Sequence, residues 1–318
     1  MLKKLLLLIE LMILIFSGCS TSNFGVVKTL ETTNSQNKPL ILEHSKFCNI
    51  GGFDIHYCDE GNKNAHTLLL IHGVGVSLHS YNEWAEILKK DFRVVRLDLP
   101  GFGLTSHPYP PANYSRELWL FCINQLVNKL NLKQFSVVGN SLGGYLAWNY
   151  TIEYPKKVHS LILIDPVGYP QEFPALLSLA TYPVVEAFAK VLIPRFMVKM
   201  CLKEVYGNPD LLADEFIDRS HELFSLPGAK RDFITILRKM KAKSSDPLLG
   251  RYIKNIKCPV LIQWGELDSW LPVQLTDKWA SDLPSATIIT YPALGHIPYV
   301  EEPYKTAQDA RKFLMKIL

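Results

Sequence analysis

Six short stretches of the chain, TLLLIHG, FRVVRLD, FSVVGN, LILID, VLIQWG and TIITYP, are apolar almost throughout instead of at every second residue. A strand that is apolar on both sides needs cover on both sides, which is the situation of a parallel sheet held between two layers of helices. The intervals supply those layers, because residues 77–89, 115–130, 142–153, 273–281 and 301–317 read as helices. Ahead of them FCNIGGFDIHYCDEG reads as two strands turning at Gly51-Gly52. The expected class is α/β, a mostly parallel sheet of about eight strands with helices on both faces.

One interval breaks the alternation. Residues 166–257 contain no apolar strand and are punctuated by Pro166, Pro170, Pro174, Pro183, Pro194, Pro209 and Pro227, so they read as a helical insertion. An insertion between two parallel strands lies over the C-terminal end of the sheet, where such sheets bind ligands. It is expected to be a lid, dividing the core into residues 41–165 and 258–318. Its apolar residues, as in FPALLSLATYPVVEAFAKVLIPRFMVKM, either pack the lid on the core or line a greasy pocket.

The first residues differ from the rest. MLKKLLLLIELMILIFSGC has a basic start at Lys3 and Lys4, an apolar stretch from Leu5 to Phe16 and small residues before Cys19. That stretch is shorter than the ~20 residues of a spanning helix and reads as an export signal over residues 1–18. Ser17-Gly18-Cys19 resembles a bacterial lipoprotein processing site, in which Cys19 is acylated; Phe16 and the charge of Glu10 depart from that pattern. Residues 19–40, rich in Thr, Ser, Asn and Gln, then form a tether from a lipid anchor to the domain, and the expected location is the cell envelope. The net charge of +4 is small and scattered, which speaks against a nucleic-acid partner. The remaining cysteines, Cys48, Cys58, Cys122, Cys201 and Cys258, have no C-x-x-C spacing and suggest neither a metal nor a redox site. Either all five are small buried apolar groups, or Cys48 and Cys58 pair across the hairpin.

Chemistry is concentrated in VVGNSLGGYLAW. Val137 and Val138 end an apolar run, helix formers follow from Leu142, and Gly139-x-Ser141-x-Gly143 keeps the side chains around Ser141 small. A hydroxyl on such a strand-to-helix bend projects alone at the C-terminal end of the sheet, where a nucleophile is useful. The backbone N–H of Leu142, at a helix N-terminus, is a candidate oxyanion donor. A second is the N–H of Val74, in the His72-Gly73-Val74-Gly75 loop. His72 reads as a structural hydrogen-bonding residue, and His79 as a pocket wall or as no part of the site.

HG-x-G, D-x-P-G-F-G, G-N-S-L-G-G, G-E-x-D and G-H occur in this order from about residue 47 to the C-terminus, and together they resemble the α/β-hydrolase superfamily. The resemblance implies a serine hydrolase with a lid and neither cofactor nor metal. It also implies the chain order nucleophile, acid, base. That order gives Ser141 as nucleophile, His296 in YPALGHIPYVEEP as base, and Asp268 in VLIQWGELDSWLP as acid; Asp165, at the end of LILID, is the alternative acid. Asp98 precedes the serine and reads as a turn carboxylate. Ser141 stands where haloalkane dehalogenases and epoxide hydrolases carry aspartate, which argues against those branches. The expected activity is hydrolysis of a small-molecule or lipid carboxylic ester. The alternatives are a carbon–carbon bond hydrolase of a dienoic diketone, which G-N-S-x-G-G also resembles, and a non-catalytic ligand-binding protein on the same fold.

Overall fold

The computed structural model describes residues 40–318. The signal segment, Cys19 and the tether up to residue 39 lie outside the described residues. Strands β1 (Ser45–Ile50) and β2 (Phe53–Glu60) form the expected hairpin, and β3 (Thr67–Ile71), β4 (Arg93–Leu97), β5 (Phe135–Asn140), β6 (Val158–Ile164), β7 (Val260–Gly265) and β8 (Thr287–Tyr291) follow. The sheet order is β1-β2-β4-β3-β5-β6-β7-β8. The pairs β1–β2 and β2–β4 are antiparallel and the rest parallel.

Alternation along the strands sorts the core into two layers. Leu69, Ile71, Val95, Val137, Leu161 and Ile262 face one side, covered by α2 (Arg116–Lys129) and α3 (Leu142–Glu153) through Ile123, Leu126, Leu146 and Ala147. Leu68, Leu70, Val94, Val138, Ile162 and Leu261 face the other, covered by α1 (Asn82–Leu88) and the C-terminal helix Pro303–Ile317 through Trp84, Leu88, Ala310 and Leu314. This double cover is why β3 is buried at all five residues. It reads as an unbroken apolar run for the same reason.

Between β6 and β7 the chain is helical: α4 (Ala175–Leu179), α5 (Pro183–Ala189), α6 (Arg195–Val205), α7 (Asp214–Ser225) and α8 (Ala229–Lys243). Val198, Leu202 and Ile217 pack on one core layer and Ile234, Ile236 and Leu237 on the other, so much of the insertion's apolar content serves docking. After β7 come α9 (Leu275–Asp282), α10 (Pro298–Glu301) and α11 (Pro303–Ile317). The sequence reads a helix from residue 301 to 317; the structure starts it at Pro303, which lacks an N–H and suits a first turn, and sets the short α10 ahead of it.

The alternative disulfide does not form. In the β1–β2 register Cys48 faces Ile55 and Cys58 faces Ser45, and Cys48, Cys58, Cys122, Cys201 and Cys258 are all free. The hairpin is instead fixed by polar groups. Ser45 Oγ bonds His56 Nε2 at 2.7 Å, and His56 Nδ1 bonds Asp98 Oδ2 at 2.7 Å. Asp98 also accepts the N–H groups of Leu78 (2.7 Å) and Leu104 (2.8 Å), the turn role expected for it. Burial alone would raise this carboxyl, but the His56 hydrogen bond and charge outweigh it and hold Asp98 down at about 2.

Candidate active site

Ser141 lies between β5 and α3 with φ +54° and ψ −114°, a conformation that costs a non-glycine residue about 1–3 kcal/mol. The glycines around it show what maintains the bend. A Cβ on Gly139 would lie 2.3 Å from the carbonyl oxygen of Gly143, and one on Gly143 would lie 2.1 Å from that of Ile71. One on Gly144 would meet Pro166 at 2.7 Å. The small residues of GNSLGG thus let α3 start in contact with the ends of β3 and β5. Gly143 and Gly144 are needed for that close approach; neither has a positive φ.

His296 arrives on the loop after β8. Its Nδ1 bonds Asp268 Oδ2 at 2.6 Å, while Asp268 Oδ1 accepts the N–H groups of Trp270 (2.8 Å) and Leu271 (2.9 Å). Nε2, the other ring nitrogen of His296, is buried and has no hydrogen-bond partner. The Trp270 ring lies 5.2 Å from the imidazole and limits its tilt. Of the two candidate acids, then, it is Asp268 that contacts the base.

Ser141 and His296 line one cavity of about 610 Å³, within the ~300–1,000 Å³ of small-molecule sites. Val74 and Leu142, whose amides are the candidate oxyanion donors, line it too. The Gly73 backbone runs against the elbow, since a Cβ there would lie 3.3 Å from that of Ser141. Further walls are Tyr145, Trp148, Phe173, Leu177 and Met240, so part of the insertion's apolar content does face the cavity. His72 is structural: its Nδ1 bonds Gly73 O and its Nε2 accepts Leu99 N–H at 3.1 Å, and burial lowers its basicity. His79, bonded to Ser77 Oγ and Leu40 O, is no part of the cavity wall.

Several bonds that hold the site cannot be read from the sequence, although Asn140 lies inside G-N-S-L-G-G. Asn140 donates from Nδ2 to the carbonyl oxygens of Ile164 (3.1 Å) and His296 (3.0 Å), tying the elbow to the histidine loop. Glu301 accepts Gly295 N–H at 2.7 Å and Gly207 N–H at 2.8 Å, and His296 N–H donates to Val205 O at 2.8 Å. The end of α6 is thereby stitched to the His296 loop. Gly295 serves close approach here, because a Cβ on it would lie 2.4 Å from Val205 O. Burial raises the Glu301 carboxyl, opposed by the amides it accepts.

One donor atom each from Asp165, Asp268 and His296 lie within 4.8 Å of one another, a separation that could hold a cation. His296 and Asp268 bond each other at 2.6 Å, while Asp165 Oδ1 accepts the N–H of Gly265.

The alpha/beta hydrolase fold family matches residues 66–201. Lipase 3 of Moraxella sp. (strain TA144) is 27% identical over 328 residues, covering 98% of this chain and 98% of its own length. The 2-hydroxymuconate semialdehyde hydrolase of Pseudomonas sp. (strain CF600) is 24% identical over 255 residues, covering 78% and 86%. Among solved structures, a bacterial membrane phospholipase A superposes with a TM-score of 0.73 at 26% identity, covering 86% of each chain. The strand order, the five motifs at strand ends and these relatives agree: the chain has the α/β-hydrolase fold and is an enzyme, a hydrolase.

Proposed function

We propose that the enzyme is a lipase-like serine hydrolase that cleaves carboxylic esters of apolar acyl groups through an acyl-enzyme. The observation that carries this reading is the opening of the strained Ser141 bend and the Asp268-bound His296 onto one cavity that Tyr145, Trp148, Phe173, Leu177 and Met240 help to line. Ser141 Oγ gives its proton to His296 Nε2 and attacks the ester carbonyl. Asp268 holds the imidazole through Nδ1 and stabilises the imidazolium that forms. The N–H groups of Leu142 and Val74 receive the oxyanion, the first aided by the α3 dipole. His296 then returns the proton to the leaving alcohol, and water repeats the sequence on the acyl-enzyme.

Similarity to a lipase and to a membrane phospholipase A supports a lipid-like substrate. The helical insertion acts as the lid over it. No helix among the described residues is long and apolar enough to cross a membrane. Attachment to the envelope is assigned to an acylated Cys19, and a lipid-modified N-terminal peptide seen by mass spectrometry, lost in Cys19→Ala, is the test.

The enzymatic test uses nitrophenyl esters from acetate to laurate beside Ser141→Ala. Each buried methylene can contribute up to ~0.8 kcal/mol, so octanoate is expected to exceed acetate in kcat/KM by at least ~10-fold. Ser141→Ala abolishes turnover without unfolding; an active Ser141→Ala protein overturns the nucleophile assignment. The semialdehyde-hydrolase relative keeps carbon–carbon bond hydrolysis as the second reading. Turnover of a dienoic diketone with none on any ester would establish it.

A further inference from the structure

The catalytic sequence above leaves unused a buried carboxyl that lies beside the Asp268–His296 pair. Asp165 follows β6 directly, is fully buried and has φ +41°, in the left-handed region. Its N–H donates to Gln263 O at 3.0 Å and its Oδ1 accepts Gly265 N–H at 2.9 Å. Its Oδ2 is buried and has no partner. This residue shares the compact cluster with Asp268 and His296.

Hydrogen-bond accounting decides which carboxyl carries charge. Two carboxylates this close, away from water, do not both ionise readily. Asp268 accepts three donors, from Trp270, Leu271 and His296, whereas Asp165 accepts one. The charge therefore resides on Asp268 and a proton on Asp165. A carboxylate has about four acceptor positions, so one on Asp268 is still open to an O–H donor. Burial first, and the charge of Asp268 next, push the Asp165 carboxyl well above the ordinary carboxylate range. Glu301 pushes in the same direction, and the phenols of Tyr291 and Tyr299 also face this carboxyl.

We propose that Asp165 is a positioning residue of the triad, a neutral acid bracing Asp268 and a reserve carboxyl that takes over His296 Nδ1 when Asp268 is removed. In the intact enzyme the Oδ2–H of Asp165 is shared with Asp268. When Asp268 is absent, Asp165 releases that proton to solvent and accepts Nδ1–H itself. The inference rests on the Ser141–His296–Asp268 assignment but is independent of the ester substrate.

The test measures fluorophosphonate labelling of Ser141 and nitrophenyl octanoate hydrolysis against pH, with melting curves, in wild type, Asp165→Asn, Asp268→Ala and the double variant. Asparagine tolerates the left-handed backbone and is itself neutral, so Asp165→Asn is expected to leave the acid limb of the labelling profile within ~0.3 pH unit. Asp268→Ala should label at least ~10-fold faster than Asp165→Asn/Asp268→Ala, with its acid limb displaced upward because Asp165 must first ionise. If Asp268→Ala does not fold, Asp268→Asn replaces it in the comparison. A downward displacement near one unit in Asp165→Asn, or equal labelling of the Asp268 variant with and without Asp165, overturns the proposal. Wild type that labels but hydrolyses no ester refutes the ester reading alone; wild type that does not label at Ser141 removes both.

Discussion

Gly143→Ala adds one methyl group and tests how the nucleophile is held. The added Cβ would lie 2.1 Å from Ile71 O and 2.6 Å from His72 O, whereas real Cβ atoms essentially never come within 3.0 Å. Relief requires a displacement of at least 0.9 Å, the difference of those two distances. Both obstacles are backbone atoms, and β3 is paired on both sides, to β4 and β5. The start of α3 must therefore move, taking the Leu142 amide and Ser141 with it. A ~1 Å misplacement of reacting groups costs about 100-fold in rate. Overpacking costs about 1–3 kcal/mol, offset by about 1 kcal/mol from the better helix propensity of alanine. The expected result is a kcat/KM lower by about 100-fold, with a stability loss of no more than about 2 kcal/mol by urea unfolding. Gly52→Ala is the control: its Cβ meets nothing within 4 Å, but φ is +87°, so about 1 kcal/mol of stability goes while turnover stays. Wild-type kcat/KM in Gly143→Ala would refute the argument that this contact positions the nucleophile.

Asp98 should show itself in acid. Its folded-state carboxyl lies at about 2, below the ordinary 3.8, so its stabilisation is complete above pH ~4 and disappears as pH falls towards 2. The two values imply about 2 kcal/mol, and Asp98→Asn should lose it at pH 7 and flatten the pH dependence of urea unfolding between 4 and 2. An unchanged slope there would remove the assignment. Glu301→Ala strands two amides, those of Gly295 and Gly207, and should lower both melting temperature and Ser141 labelling, the latter by about 10-fold. Loss of stability with wild-type labelling would confine Glu301 to a structural role.

What the sequence disclosed follows from how many constraints each position carries. Doubly covered strands have to be apolar, so β3 to β7 were legible, although β6 starts three residues ahead of LILID; β8, a half-exposed edge strand, was legible from its β-branched residues. The elbow was legible because its glycines sit where any Cβ collides with backbone, a requirement that few other residues satisfy. Asp268 and His296 came from motif order, and their hydrogen bond agrees with that assignment. The supporting residues were not legible. Asn140, last in β5, and Glu301, last in α10, work by side-chain bonds to backbone groups far along the chain, and nothing in the sequence shows which carbonyl or amide such a side chain will meet. The cysteine pairing was open for a related reason: only strand register decides it, and register places Cys58 opposite Ser45.

The described residues include two Ser–His–Asp groups, and their contrast shows what turns residue types into a site. Ser45, His56 and Asp98 form an unbroken hydrogen-bonded chain with contacts of 2.7 Å, comparable to the 2.6 Å between His296 and Asp268. Yet Ser45 opens an edge strand and accepts Leu42 N–H at 2.9 Å, and His56 is fully buried with both ring nitrogens engaged. That arrangement is satisfied, and it stabilises the hairpin. Ser141 instead sits on a strained bend at a helix N-terminus, His296 keeps an unpartnered Nε2, and both border space that a substrate can fill. A satisfied relay makes stability, whereas an unsatisfied nitrogen beside a cavity and oriented amides leaves a proton acceptor and a charge receptor free until substrate arrives. Reactivity in this fold therefore follows from what the sheet ends leave unpaired, and the triad residue types acquire their function from that position.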